Sequence, residues 1–315
     1  TTKNINKNID IFDKFYYTYF IMENVERYNR LDTYLKNKFG EKVLKICIDG
    51  NFTCPNRDGH ISTGGCIFCS EKGSGEHINT TTIENQVKNF FNSYKADRAN
   101  KFIVYFQNFT NTYDTPKNLK KKYDSALIDD RIVGLSIATR PDCIDENIVK
   151  LLSTYNDKYY VSVELGLQTS NDNTAKFINR GYKTNQFTEA VNLLNKYNID
   201  VVCHIIVGLP TETQLDLENT INFINKHNIQ GIKIHSCYVV KNTQLAKMYY
   251  DKKYTPLTLD NYLDSLTYII THLRPDIVIH RISGDAPKEL LIAPDWDAHK
   301  KWVLNKFPKI LKEQN

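Results

Sequence analysis

The sequence predicts an α/β protein built from parallel βα units. Two observations carry that expectation. Short apolar runs suited to strands alternate with helical stretches along most of the 315 residues. Several of the runs, such as FIVYF at 102–106 and IDVVCHIIV at 199–207, are apolar on both faces, as strands covered by helices must be. An open doubly wound sheet and a full or partial TIM-like barrel both fit. In either one, chemistry belongs at the carboxyl ends of the strands.

The elements follow in order. Residues 1–22 are rich in Asn and Lys and then in Tyr and Phe, and read as an N-terminal extension, with Met22 an alternative start. Residues 24–39 space Val25, Tyr28, Leu31 and Leu35 on one helical stripe, and Gly40 stands where such a helix stops. The period then changes. Strands are predicted at 43–48, 102–106, 132–138, 159–167, 199–207, 231–235 and 277–280. Helices are predicted at 83–94, 119–127, 147–155, onward through Leu194, 215–224, 259–273 and 299–312. No low-complexity linker or domain boundary interrupts residues 23–315, which read as one domain.

Composition narrows the class. Hydrophobic residues make up 41% and charged residues 24% of the chain, as in soluble globular proteins. No apolar run approaches the ~20 residues of a membrane helix, and no secretory signal pattern is present. Seven cysteines, an odd number, then point to a reducing, cytoplasmic setting rather than to disulfides. A net charge of +5 permits a nucleic-acid partner without demanding one.

The chemistry concentrates in residues 54–69, CPNRDGHISTGGCIFC. Cys54, Cys66 and Cys69 have a C-x11-C-x2-C spacing, and the polar, glycine-rich residues between them have little with which to form a core. Three thiolates suit zinc or an iron–sulfur cluster. Zinc in a structural role needs a fourth ligand, for which His60, Cys47 and His77 are the candidates. An open fourth position is the mark of a catalytic centre. Cys47, Cys143, Cys203 and Cys237 lie in or near apolar strands and read as small core hydrophobes.

The C-x-F-C ending of this loop, after the first strand of a βα series, resembles the radical S-adenosylmethionine (SAM) enzymes. VELGLQTSNDNTAKFINRG at 163–181 is similar to the cofactor-binding segment of the elongator catalytic subunit and of oxygen-independent coproporphyrinogen oxidase. IIVGLPTET at 205–213 and ATRPD at 138–142 match neighbouring strand ends. RYNRLDTYLKNKFGEKV (27–43), KIHSCYVVKNTQLAKMY (233–249) and HRISGDAPKELLIAPDW (280–296) resemble a small bacterial branch close to the elongator subunit. The resemblance covers residues 23 to the end.

That resemblance implies a partial TIM-like (β/α)6 barrel with C-terminal additions on the substrate side. It implies a 4Fe-4S cluster on Cys54, Cys66 and Cys69, with SAM on the open iron and a 5′-deoxyadenosyl radical as product of its cleavage. Phe68 is expected near the adenine, Gln168 on the ribose and Arg180, 12 residues later, on the carboxylate. Gln107 lies in YFQNFTNTY (105–113), where the family's glycine-rich turn falls; the double glycine is absent here. Glu164 reads as a further cofactor contact or as a paired core carboxylate. His204 and His235 read as core histidines, and His60 as a loop residue. Tyr238, Lys241, Arg281 and Asp285 stand near strand ends, where substrate belongs, with Tyr238, Lys241 and Asp285 the catalytic candidates.

The resemblance further implies action on the C5 substituent of the tRNA wobble uridine. It also implies a one-electron donor such as flavodoxin or ferredoxin. Lys300, Lys301, Lys306, Lys309 and Lys312 are candidates for phosphate contact, or a solvated helix face. A radical SAM enzyme of a small metabolite or peptide, and a zinc-stapled tRNA-binding protein without catalysis, are the alternatives.

Overall fold

The computed structural model describes residues 27–73, 75, 78 and 81–313. The extension at 1–22 and His77 lie outside the described residues. Seven parallel strands form one curled sheet, a half-barrel. They are β1 (Val43–Ile48), β2 (Lys101–Phe106), β3 (Ile132–Thr139), β4 (Tyr160–Gln168), β5 (Asp200–Val207), β6 (Gly231–Ser236) and β8 (Val278–Arg281). Their order in the sheet is their order in the chain. All seven strands predicted along the chain are present in this sheet, which matches the partial TIM-like barrel expected.

Helices make the crossovers that parallel strands require. They are α1 (Leu31–Phe39), α2 (Ile83–Phe91), α3 (Pro116–Asp124), α4 (Glu146–Ser153), α5 (Asp172–Phe177), α6 (Thr184–Lys196) and α7 (Gln214–Asn225), followed by α8 (Gln244–Tyr250), α9 (Leu259–His272) and α10 (Lys300–Glu313). Their starts are written locally. The side chains of Thr82, Thr115, Asp145, Asn171, Thr213, Thr243 and Thr258 each accept a hydrogen bond from a first-turn N–H. Those bonds satisfy donors that the helix itself leaves open.

Two helices differ from expectation. Of the stretch predicted at 24–39, residues 27–30 are not helical and the helix starts at Leu31; residues 24–26 lie outside the described residues. Ile279 N–H donates to Asn29 O at 2.7 Å, and Arg30 bridges Ile279 in parallel. Pairing with the edge of β8 thus wins over the helical stripe. The stretch expected to run through Leu194 is divided into α5 and α6. Asn179 and Gly181 between them have φ of 55° and 82°, which no α-helix accommodates.

The outer faces of the strands pack on the helices. Ile46, Phe102, Val104, Leu135, Val163 and Ile232 meet Leu119, Val149, Val191, Ile221, Leu263 and Phe307 in the main core. At the amino ends of the strands, Leu35 of α1 packs with Val43, Ile103 and Tyr160. Helix α1 touches both β1 and β8, so it closes the bottom of the half-barrel. The lumen opens at the carboxyl ends. There a two-stranded ribbon of β7 (Val239–Val240) and β9 (Leu291–Ala293), with α8, forms a second apolar cluster around Leu245, Tyr254 and Ile178. No described helix is long and apolar enough to cross a membrane.

Leu35→Ala is expected to lower the unfolding free energy by about 2–5 kcal/mol, because Leu35 is only 3% exposed beneath the barrel floor. A urea titration followed by circular dichroism measures it; an unchanged midpoint would show that α1 does not seal the barrel.

Candidate active site

The cysteine loop leaves the carboxyl end of β1 and is folded mostly by its own backbone. Arg57 N–H and Asp58 N–H bond Cys54 O at 2.8 and 3.2 Å, Ile61 N–H bonds Pro55 O at 2.7 Å and Gly65 N–H bonds Asn56 O at 2.7 Å. Gly65 has φ of 70° and abuts the Arg57 side chain, a position that disfavours any side chain. The Arg57 guanidinium donates to the carbonyls of Cys69 and Ser70.

Two outside elements then fix the loop. Buried Asn56 donates to Asn179 O at 2.6 Å, and Asn179 Nδ2 returns a bond to Gly65 O at 2.7 Å. Ile67 N–H donates to Ile178 O at 3.1 Å, while Ile67 O accepts from Leu245 N–H at 2.9 Å. Ile67 and Phe68 thereby join the apolar cluster beneath the ribbon. The C-x2-C segment is clamped between the end of α5 and the start of α8.

Cys54, Cys66 and Cys69 line one cavity of about 760 Å³ at the top of the barrel. Among the described residues, no three His, Cys, Asp or Glu side chains converge as ligands of a single metal ion would. His60 is exposed on the loop, its ring 6.2 Å from that of Tyr113. Cys47 faces the lumen from β1 rather than a packed core, a correction to its reading as a core hydrophobe. Burial, then the neighbouring Cys69, pushes the Cys66 thiol up to about 12, against the pull of Arg140 and Asn56. Thiolates there need a positive centre. Three thiols on the wall of one cavity, with no fourth ligand converging on them among the described residues, fit a cluster better than a zinc ion.

The end of β4 forms the facing wall. Gln168 adopts φ of 59°, and the pairing with β5 shifts register between Gly166 and Gln168. Tyr182 OH donates to Gln168 Oε1 at 2.9 Å and to Gly166 O, which fixes the amide at the cavity. Arg180 is 1% exposed. Its Nη1 donates to Leu167 O at 2.6 Å and Thr169 O at 2.7 Å. Its Nε and Nη2 donate to Tyr182 O at 3.1 and 3.0 Å, and Nη2 also reaches Thr184 Oγ1 at 3.1 Å. Every N–H of this guanidinium has a protein acceptor. Arg140 grips Asp142 at 2.9 and 2.7 Å and donates to Arg180 O at 2.9 Å.

Deeper in the lumen, Glu164 unites the two readings offered for it. It lines the cavity and is also paired: Lys45 Nζ lies 2.7 Å from Oε1, with Lys233 Nζ and His204 Nε2 (2.8 Å) on Oε2. Burial acts to raise its pKa, but Lys233 and Lys45 outweigh that and hold it well below the usual carboxylate range. Burial pushes Lys233 down, and Lys45 and Arg281 add to that against the pull of Glu164. The Tyr105 ring sits 4.9 and 4.1 Å from the two ammonium groups.

Phe68, Gln107, Tyr238, Arg281 and Asp285 also line the cavity. Lys241 does not. It lies on the ribbon, with Nζ donating to Glu289 O at 2.9 Å and its N–H to Leu290 O at 2.8 Å. Pairing of β7 with β9 carries Lys241 away from the wall where it was expected. His204 and His235 face the cavity instead of the core. Lys45 and Lys233 are the residues that sequence reasoning passed over. Their signal was a lone lysine inside an apolar strand, VLKICI and GIKIHS.

The Radical SAM superfamily model matches residues 57–224, and the Radical_SAM C-terminal domain model matches 229–313. The chain is 40% identical to the uncharacterized protein YtqA of Bacillus subtilis, over 92% of this chain and 91% of that one. It is 28% identical to the tRNA uridine(34) acetyltransferase of Dehalococcoides mccartyi, over 52% of this chain and 36% of that one. The structure of Elp3 from Methanocaldococcus infernus superposes with a TM-score of 0.63 at 16% identity, covering 84% of this chain and 63% of that one.

Arg180→Gln is expected to destabilise the protein by at least about 3 kcal/mol, since buried carbonyls lose their donors. Arg180→Lys will not restore it, because an ammonium cannot span those acceptors. Stability will also depend on pH through Asp297, whose Oδ1 accepts from Ser236 Oγ at 2.6 Å. Burial pushes Asp297 from 3.8 up to about 7, and Glu212 likewise from 4.5 up to about 7. Both folded values lie above the unfolded ones. Their stabilisation is therefore complete below about pH 4 and is lost as pH rises through 7. Urea midpoints of Asp297→Asn across pH 4–8 should fall less steeply than those of the wild type; identical slopes would refute this.

Proposed function

This chain belongs to the radical SAM superfamily, and we propose that it modifies the C5 substituent of the wobble uridine of tRNA. The family uses a 4Fe-4S cluster and SAM, which when bound supply a carbon-centred radical able to take one hydrogen atom from a substrate. The observation that carries the tRNA reading is the likeness of about half the chain to a tRNA uridine(34) acetyltransferase. The joint position of the three thiols and the polar lumen in one cavity supports the radical chemistry.

In this reading Cys54, Cys66 and Cys69 hold the cluster. Phe68, Gln107 and Gln168 shape the SAM site, and Tyr182 keeps the Gln168 amide turned toward it. Arg180 contributes as a strut, because its donors are already committed to the backbone that carries Gln168. Glu164 stays ionised between Lys45 and Lys233 and keeps the floor beneath the cofactor polar and ordered. Tyr238 and Asp285 line the substrate side. The ribbon and α8 close over the cysteine loop and keep water from a reactive centre.

The RNA would approach over α10. Lys301, Lys306, Lys309 and Lys312 are exposed there. Trp302, 48% exposed, stacks on His299 with ring centroids 4.5 Å apart. Cations beside an exposed aromatic suit phosphates and unstacked bases. Lys300 lies 3.9 Å from Asp285, a cavity residue, so this face leads to the mouth of the site. The radical reading calls for a one-electron donor such as a flavodoxin or ferredoxin.

Replacing any one of Cys54, Cys66 and Cys69 by Ala should abolish the paramagnetic signal of the reduced cluster and the formation of 5′-deoxyadenosine, with the far-ultraviolet dichroism unchanged. A wild-type protein reconstituted anaerobically that yields neither would overturn the radical reading. Deleting the gene should alter the wobble-uridine nucleosides of total tRNA by mass spectrometry; an unchanged profile would sink the tRNA reading alone.

A further inference from the structure

Arg281, the last residue of β8, is half-buried and lines the cavity. Among the described residues its guanidinium has no hydrogen-bond or ion-pair partner. The described carboxylates that line the cavity are committed elsewhere. Glu164 is shared by Lys45, Lys233 and His204, and Asp285 turns to Lys300. The deep lumen thus places three cations, Lys45, Lys233 and Arg281, against one carboxylate. Beside Arg281, the buried Nε2 of His235 also has no partner among the described residues. The repulsion is felt by the neighbours: after burial, Arg281 helps to push His204, His235, Lys233 and Lys300 down.

We propose that the substrate carries an oxyanion, a carboxylate or a phosphate, which seats on Arg281 with His235 as a second contact. A guanidinium presents parallel N–H donors that match either group. A neutral imidazole with its proton on Nε2 adds one more donor from the adjacent strand. The incoming charge supplies the counter-anion that no described residue provides, and it anchors one end of the substrate below the reacting centre. The inference rests on the cavity being the reaction chamber, and it does not require the substrate to be RNA.

The test uses the anaerobically reconstituted, full-length protein at constant ionic strength. Succinate and inorganic phosphate are titrated separately by calorimetry, with chloride as control. One of the two should bind saturably, succinate if the seat reads a carboxylate on the modified group and phosphate if it reads a nucleotide. Arg281→Gln should weaken that binding roughly ten- to a hundredfold, and Arg281→Lys should recover part of it. His235→Asn, as a second variant, should weaken it less. SAM affinity should be unchanged in Arg281→Gln. Binding of neither anion above the chloride control, or equal binding in Arg281→Gln, overturns the proposal. A parallel loss of SAM affinity in Arg281→Gln overturns it too, since the seat would then belong to the cofactor. SAM cleavage, measured in the same samples, reports separately on the radical chemistry.

Discussion

A guanidinium as deeply buried as that of Arg180 is tolerable only when each of its N–H groups finds an acceptor. Here the acceptors are the carbonyls of Leu167, Thr169 and Tyr182 and the Thr184 hydroxyl. Those groups belong to the end of β4 and to the turn before α6. By binding both, Arg180 folds the turn against the strand and brings Ile178 and Asn179 to the cysteine loop. The loop is covalently attached to β1, but its position is set from β4. Gln168 and the thiols therefore share one rigid frame, and a disturbance of Arg180 is felt at both.

The lumen is organised by a second constraint, also electrostatic. Ion pairs removed from water repay little of their desolvation cost, and apolar replacements often serve stability as well or better. A barrel floor built from Lys45, Glu164, Lys233 and His204 is therefore weak evidence of a stabilising device. It makes more sense as a polar surface kept at fixed geometry in the cavity wall. Helix α1 contributes by packing on the apolar bottom of the sheet. The main core outside the strands carries the stability, so the inside is free to carry charge.

Much of the fold was legible along the chain because it depends on local rules. Strand and helix periods, Thr, Asp and Asn caps and the thiol spacing are all short-range features. The C-x11-C-x2-C loop, Phe68, Gln107, Gln168, Tyr238 and Asp285 were identifiable before any coordinates, and all of them line one cavity. The extra sheet partner at Asn29 and Arg30 was hidden, since a helical stripe over 24–39 says nothing of a β8 edge more than 240 residues away. The division of α5 from α6 was hidden for the same reason: Arg180 and Asn179 bind distant groups that outweigh helix propensity.

Sequence alone determined which chemistry the chain can host, through three thiols and the segments that match the radical SAM family. It did not determine which way the side chains of doubly apolar strands point. In such strands both faces read alike, so Lys45, Lys233, His204 and His235 could have faced helices or lumen. Curling of the sheet decided this, by turning one face of every strand toward a common axis. It also separated Lys241, drawn off by the ribbon, from Arg281, left facing the cavity without a counter-charge among the described residues. A charge's partners are settled by what folding brings within a few ångströms of it, and no spacing along the chain records that.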